Sequence, residues 1–247
     1  MSARHWFYLP ELEDAGVHTV LQGSQASHAI RARRLRPGDP VVVFDGAGGT
    51  ASGLISEIVQ RPLQVHLQLE DFRVLPVPGY RIHLLSALPK GERQATMLDM
   101  ATQLGMTDFT ALACDRSVSQ AQDRARARWQ RLLIEACKQS HRPRLPTLHP
   151  PLTVDSWAAQ VSAGDAVVLL GDAHGAPPAQ LFLSQLQEGT MFCLLVGPEG
   201  GFTPRECDLL DTVAPLGVSL GRGVLRIETA AVAMVALAAS LAPGCPE

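Results

Sequence analysis

The sequence predicts an α/β protein in two parts: a small β-rich module over residues 1–73 and a larger domain over 74–247 built on a mostly parallel sheet. Three observations carry that expectation. Residues 41–69 alternate apolar and polar side chains in short runs broken by glycine, the period of half-buried strands. The segment Val74-Leu75-Pro76-Val77-Pro78-Gly79 then interrupts both strand and helix periods, because proline fixes φ and donates no hydrogen bond. Beyond it, short apolar runs alternate with amphipathic stretches, the order expected of parallel strands joined by crossover helices.

Residues 24–35 read as a helix carrying His28, Arg31 and Arg34 on an outward edge, stopped by Pro37-Gly38-Asp39. Val41-Val42-Val43-Phe44 reads as a strand that turns through Asp45-Gly46-Ala47-Gly48-Gly49 into strands over 54–59 and 63–69. After the proline break, strands are expected over 82–88, 109–113, 166–170, 192–196 and 218–220. Helices are expected over 92–104 and 124–139, after Pro178, after Thr203 and at the alanine-rich end. In the helix from Arg124, Trp129, Leu132, Leu133, Ala136 and Cys137 share one face, whereas Arg124, Arg128, Arg131, Lys138 and Arg142 take the other.

At 247 residues, 46% hydrophobic and 18% charged, the chain has the balance of a globular protein and none of the bias of disordered or fibrous sequences. The longest apolar stretch, residues 229–242, falls short of the roughly 20 residues that a membrane helix needs. The first residues carry no apolar secretory core, so the expected compartment is the cytoplasm. Five scattered cysteines without a C-x-x-C, and eight histidines without an H-E-x-x-H, imply neither a disulfide framework nor a metal site. The net charge of −3 hides a basic skew: residues 114–146 hold eight Arg or Lys against three acids, and Arg31, Arg33, Arg34 and Arg36 form a second cluster. Both clusters suit phosphates, although a solvated helix face has the same composition.

Open parallel sheets bind ligands beyond the carboxyl ends of their strands, which points to the loops after Val196 and Leu220. The first reads GPEGGFTPRE over 197–206: three glycines around a proline, then Thr203, Pro204 and Glu206 as helix cap, first helical residue and capping acid. It matches neither the dinucleotide fingerprint nor a phosphate-binding Walker loop. The second reads LGRGVLRIETA over 220–230, where Arg226 and Glu228 either pair or face a reaction. Gly217-Val218-Ser219-Leu220-Gly221 formally matches a hydrolase nucleophile elbow, but no histidine follows it.

These two loops together resemble the RsmE family of 16S rRNA (uracil-N3)-methyltransferases within the SPOUT superfamily. The likeness extends through His28 to Leu35, Asp39, Phe44-Asp45-Gly46, Lys90, Leu104-Gly105, Arg116-Ser117, and Trp129 to Arg142. It implies a PUA-like β-barrel in front of an α/β methyltransferase domain with a trefoil knot. It also implies S-adenosylmethionine as cofactor, 16S rRNA in the small ribosomal subunit as partner, and a homodimer. Where the family carries a Lys and a Glu, this chain has Met100 and Gln103.

The resemblance assigns cofactor contacts to Leu195, Gly197, Pro198, Glu199, Gly200, Gly201, Leu220, Gly221, Val224, Leu225, Thr229 and Ala230. Core packing explains Leu195, Leu220 and Leu225 equally well. Arg226 is the candidate to stabilise negative charge on the target uracil, with Glu228 beside it and the base unassigned. RNA contacts are expected from Arg31, Arg34, Lys90, Arg116, Arg124, Arg128 and Arg142. The alternatives are a catalytically silent RNA-binding assembly factor and a SPOUT enzyme with another rRNA target.

Overall fold

The computed structural model describes residues 5–119, 125–161, 166–178 and 189–241. The chain divides into two compact units, one of Met1–Val77 with Cys137–Leu145 and one of Pro78–Ala136 with Pro146–Glu247.

In the first unit, β1 (His5–Tyr8), β2 (His18–Leu21), β3 (Pro40–Phe44), β4 (Gly49–Gln60) and β5 (Leu63–Val74) form one sheet in the order β1-β3-β4-β5-β2. Only the β1/β3 pairing is parallel; the others are antiparallel. The alternation of the sequence turns Val41, Val43, Ile55, Val65, Leu67 and Leu69 into one core, which Phe7, Leu12 and Leu21 complete. The Asp45 carboxylate shapes the β3–β4 turn by accepting from the amides of Ala47 (2.6 Å) and Gly49 (2.9 Å).

The helix expected over 24–35 is shorter. α1 (Gly23–Ser27) widens into a π-type turn over His28–Ala32, and the chain then leaves the helix through Arg34 at φ +55°. The Leu35 amide closes this end on Ala29 O, so Leu35 is pulled into the core while Arg31, Arg33 and Arg34 stay exposed.

In the second unit, the elements are β6 (Arg81–Ser86), α2 (Arg93–Leu104), β7 (Asp108–Ala113), α3 (Ala125–Ser140), β8 (Thr147–Leu148), β9 (Leu152–Thr153), α4 (Val154–Ala158), β10 (Val167–Ala176), β11 (Met191–Val196), α5 (Pro204–Asp211), β12 (Leu216–Val218) and α6 (Ile227–Leu241). The strands pair throughout in parallel, in the order β12-β10-β11-β6-β7-β8 with β9 beside β7. β6 and β11 are buried along nearly their whole length, as continuous apolar strands of a covered parallel sheet should be. The helix expected after Pro178 lies outside the described residues.

At the amino end of this sheet, Asp108 is 3% exposed and takes the Arg81 guanidinium (2.7 Å), His149 Nε2 (2.8 Å) and the Thr107 hydroxyl (2.8 Å). These partners hold its pKa below the usual carboxylate value although burial alone would raise it. Burial pushes the neighbouring His83 down from 6.5 to about 4, and its ring shares a 2.7 Å hydrogen bond with Thr110. The unfolded chain therefore binds protons that the native one refuses as pH falls from 6.5 towards 4. This contribution, about 3 kcal/mol, is present in full above 6.5 and lost across that window. Thermal unfolding should accordingly move to lower temperature between these pH values, and His83→Gln should flatten the dependence.

Candidate functional site

At the carboxyl-terminal side of β10, β11 and β12 lies a cavity of about 370 Å³. Three segments build it: Gly171-Asp172-Ala173 in the second half of β10, the GPEGGF loop after β11, and the stretch from Leu220 to Leu225 with the start of α6.

The GPEGGF loop is held from behind. Thr203 caps α5 in a reciprocal capping box with Glu206, as the sequence predicts. Glu206 is 1% exposed and accepts from the Thr203 amide (2.8 Å) and, across the fold, the Asp115 amide (2.8 Å). Arg116 donates to Gly200 O at 2.8 Å and Phe202 O at 3.3 Å, so this residue, expected to contact RNA, also pins the loop. Phe202 folds back over Gly197, where a Cβ would lie 2.8 Å from its ring; only glycine admits that contact. Replacing Glu206 by Ala would strand two donors and one cap, and should cost about 2–4 kcal/mol in urea unfolding.

Of the twelve residues expected at the cofactor, nine line the cavity: Gly197, Pro198, Glu199, Gly201, Leu220, Gly221, Val224, Leu225 and Ala230. Leu195, Gly200 and Thr229 do not. Leu195 is wholly buried within β11, the Gly200 carbonyl turns to Arg116, and Thr229 is exposed on α6. Sequence reasoning missed Asp172, Phe202 and Cys207, which also line it. Asp172 lies two residues past the expected strand end at Leu170, and the strand-end rule applied at that point would have found it. Its Oδ1 accepts from the His174 amide at 2.9 Å.

The lining holds two carboxylates, Asp172 and Glu199, and no lysine, arginine or histidine. Such a wall repels phosphate and suits a ligand carrying positive charge. Ser219, the residue of the apparent nucleophile elbow, donates to Ala173 O or Gly221 O and meets no histidine among the described residues.

Arg226 and Glu228 do not pair. Glu228 Oε1 instead lies 3.6 Å from Arg93 Nη1 on the first turn of α2, while its Oε2 is buried with no partner among the described residues. Arg226 precedes α6 and is exposed, whereas Glu228, two residues and about half a helical turn further on, is half-buried on a different side, which brings the two to different neighbours. Arg226 itself sits between Leu225 and Ile227, both of which line the cavity. Gln103, in place of the usual Glu, donates to Asp99 at 2.9 Å beside an exposed Met100, so the altered stretch of α2 keeps a local hydrogen bond.

Of the residues expected at RNA, Arg31, Arg34, Lys90, Arg116 and Arg128 are exposed and Arg142 is half-buried; Arg124 lies outside the described residues. No group of side chains capable of holding a metal occurs among the described residues, and no helix there is long and apolar enough to cross a membrane.

Residues 76–239 match the RNA methyltransferase domain family, and residues 21–67 the RNA methyltransferase PUA domain. A curated relative, the ribosomal RNA small subunit methyltransferase E of Mycobacterium tuberculosis, is 33% identical across 91% of this chain and 87% of its own. The chain belongs to the small subunit methyltransferase E family. This membership shows an α/β methyltransferase fold joined to a PUA domain. A methyltransferase of Legionella pneumophila, solved with bound SAM, is 25% identical and superposes with a TM-score of 0.83 over 96% of this chain and 98% of its own. The fold is equally that of the family's Neisseria gonorrhoeae member, crystallised with S-adenosylmethionine: TM-score 0.83, 24% identity, 97% and 98% coverage.

Proposed function

We propose that the chain is an S-adenosylmethionine-dependent methyltransferase acting on N3 of a uridine in the 16S rRNA of the small ribosomal subunit. The observation that carries this is the cavity: glycine-lined, rimmed by Asp172 and Glu199, free of basic side chains, in a family whose relatives are named as ribosomal RNA small subunit methyltransferases. Its volume is within the range of small-molecule sites, and its carboxylates complement a sulfonium and an amino group.

When bound, S-adenosylmethionine supplies an electrophilic methyl group. The chain's own residues do the rest. Gly197, Gly201, Leu220 and Leu225, which line the cavity, would hold the cofactor's adenosine moiety through backbone groups and apolar side chains, and Asp172 would accept from its ribose hydroxyls. Arg226, exposed at the rim, offers its guanidinium to a uracil oxygen and so favours the anion that forms when N3 gives up its proton. Arg93, 3.6 Å from the Glu228 carboxylate, holds that side chain at the start of α6. The base stays unassigned. Asp172→Asn should weaken cofactor binding about tenfold in isothermal titration, because a charge-assisted acceptor becomes a neutral one.

The finer architecture follows the family: a PUA-like barrel over residues 1–73 that helps to hold RNA, and a SPOUT domain with a trefoil knot over 74–247. Val224, 90% exposed, and Leu225, 39% exposed, are apolar side chains that a second copy would cover, which supports a homodimer. A substrate in the ribosome fits the expected cytoplasmic compartment. The test is transfer of labelled methyl groups to unmodified small subunits, with label expected in 16S rRNA. Cofactor binding without transfer to any RNA would instead favour a silent assembly factor.

A further inference from the structure

His141 terminates α3 in a backbone conformation that favours glycine, with φ +58°. The Arg142 amide bonds to Cys137 O at 3.0 Å, the closure typical of a helix end whose next residue is left-handed. A β-carbon there is strained, yet this chain places an imidazole. The ring lies on Trp6 of β1, with centroids 5.2 Å apart and planes 17° apart. Trp6 is itself braced by Phe44 at 5.6 Å. His141 is exposed, and its ring nitrogens have no hydrogen-bond partner among the described residues. One face of the imidazole is therefore seated on a rigid indole while the residue remains open to solvent. All of this lies within the unit that contains the PUA match. The segment Cys137–Leu145 carries no acid: Lys138 is buried over the Phe7 ring, and the half-buried Arg142 and Arg144 leave the segment a positive charge that attracts phosphate.

We propose that the outer face of the His141 ring is a stacking platform for an unpaired base of the RNA substrate, a contact that rests on the rRNA methyltransferase reading above. Single-stranded RNA is held by flat side chains with an open face beside cations that meet the backbone. The Trp6–His141 pair supplies the flat face, preorganised by its own stacking, and the surrounding charge supplies the attraction. Stacking of this kind reads no sequence, so the platform adds affinity and orientation while base choice is left to the methyl-transfer site.

His141→Gly separates this role from a structural one, since glycine removes the ring and relieves the backbone. Binding of the full chain to unmodified 16S rRNA and to unmodified small subunits would be measured beside its S-adenosylmethionine affinity and its melting temperature. We expect affinity for both RNA probes to fall about 5- to 100-fold, with cofactor affinity unchanged and melting temperature equal or higher. His141→Tyr should restore RNA binding. Unchanged affinity in the glycine variant would overturn the platform, and so would a loss with subunits alone, which would assign the ring to a ribosomal protein. Loss that tracks a fall in melting temperature, without rescue by tyrosine, would make the stack merely structural. If the wild-type chain itself binds neither probe, the rRNA reading fails first; wild-type methylation with an indifferent glycine variant defeats the platform alone.

Discussion

Arg226→Ala is expected to lower single-turnover methylation by about 100- to 1,000-fold while cofactor affinity stays within about threefold. The magnitude is that of removing one preorganised charge from the place where negative charge develops. The separation follows from the geometry. Arg226 lies outside the lining of the cavity, which its neighbours Leu225 and Ile227 help to form, so losing its side chain leaves the cofactor walls in place. Its side chain is exposed and takes part in no ion pair with Glu228, whose partner is Arg93, so stability should shift by less than about 0.5 kcal/mol. Arg226→Lys keeps charge but not the planar fork and should recover part of the rate. A parallel loss of rate and cofactor affinity would make Arg226 a binding residue instead.

Gly175→Ala should have the largest effect on the fold of the site. A Cβ at Gly175 would lie 2.4 Å from the carbonyl carbon of Gly217 and 2.5 Å from the amide nitrogen of Val218, and neither can swing aside because both belong to the backbone of β12. β10 and β12 must part, at a cost of about 2–3 kcal/mol. These two strands carry Asp172, Ala173 and Val218 of the cavity wall. Displacement of that wall by an ångström would weaken cofactor binding and lower the methylation rate on the order of 100-fold. Urea unfolding and isothermal titration would read the two losses separately; a variant with native stability and native affinity would show that β12 accommodates the methyl group.

Much of this was legible from the sequence, for identifiable reasons. β7, α2, α5 and α6 fall within a residue or two of expectation because apolar period and caps act locally: Gly105 stops α2 at φ +116°, and Thr203 with Glu206 starts α5. The two glycine-rich loops were legible because turn chemistry fixes their backbone. The helix over 24–35 was read too long, since its apolar spacing continues through Leu35 while the backbone departs at Arg34. β8 and β9, two residues each, are too short for any period to register. Asp172 was missed because β10 outruns its apolar run, and the Arg93–Glu228 pair because it joins residues 135 positions apart, which no spacing rule reaches. The return of Cys137–Leu145 into the first unit depends on Arg144, which donates to Ala47 O and Leu75 O, again a contact with no local signature.

Whether this cavity serves methyl transfer to uridine N3 can be read from a single reaction. Small ribosomal subunits lacking the modification are incubated with the protein and labelled S-adenosylmethionine, and the digested 16S rRNA is mapped by mass spectrometry. Label is expected at N3 of a single uridine, appearing about 100- to 1,000-fold more slowly with Arg226→Ala. Label on a ribose, on another base or on no nucleotide at all would contradict it.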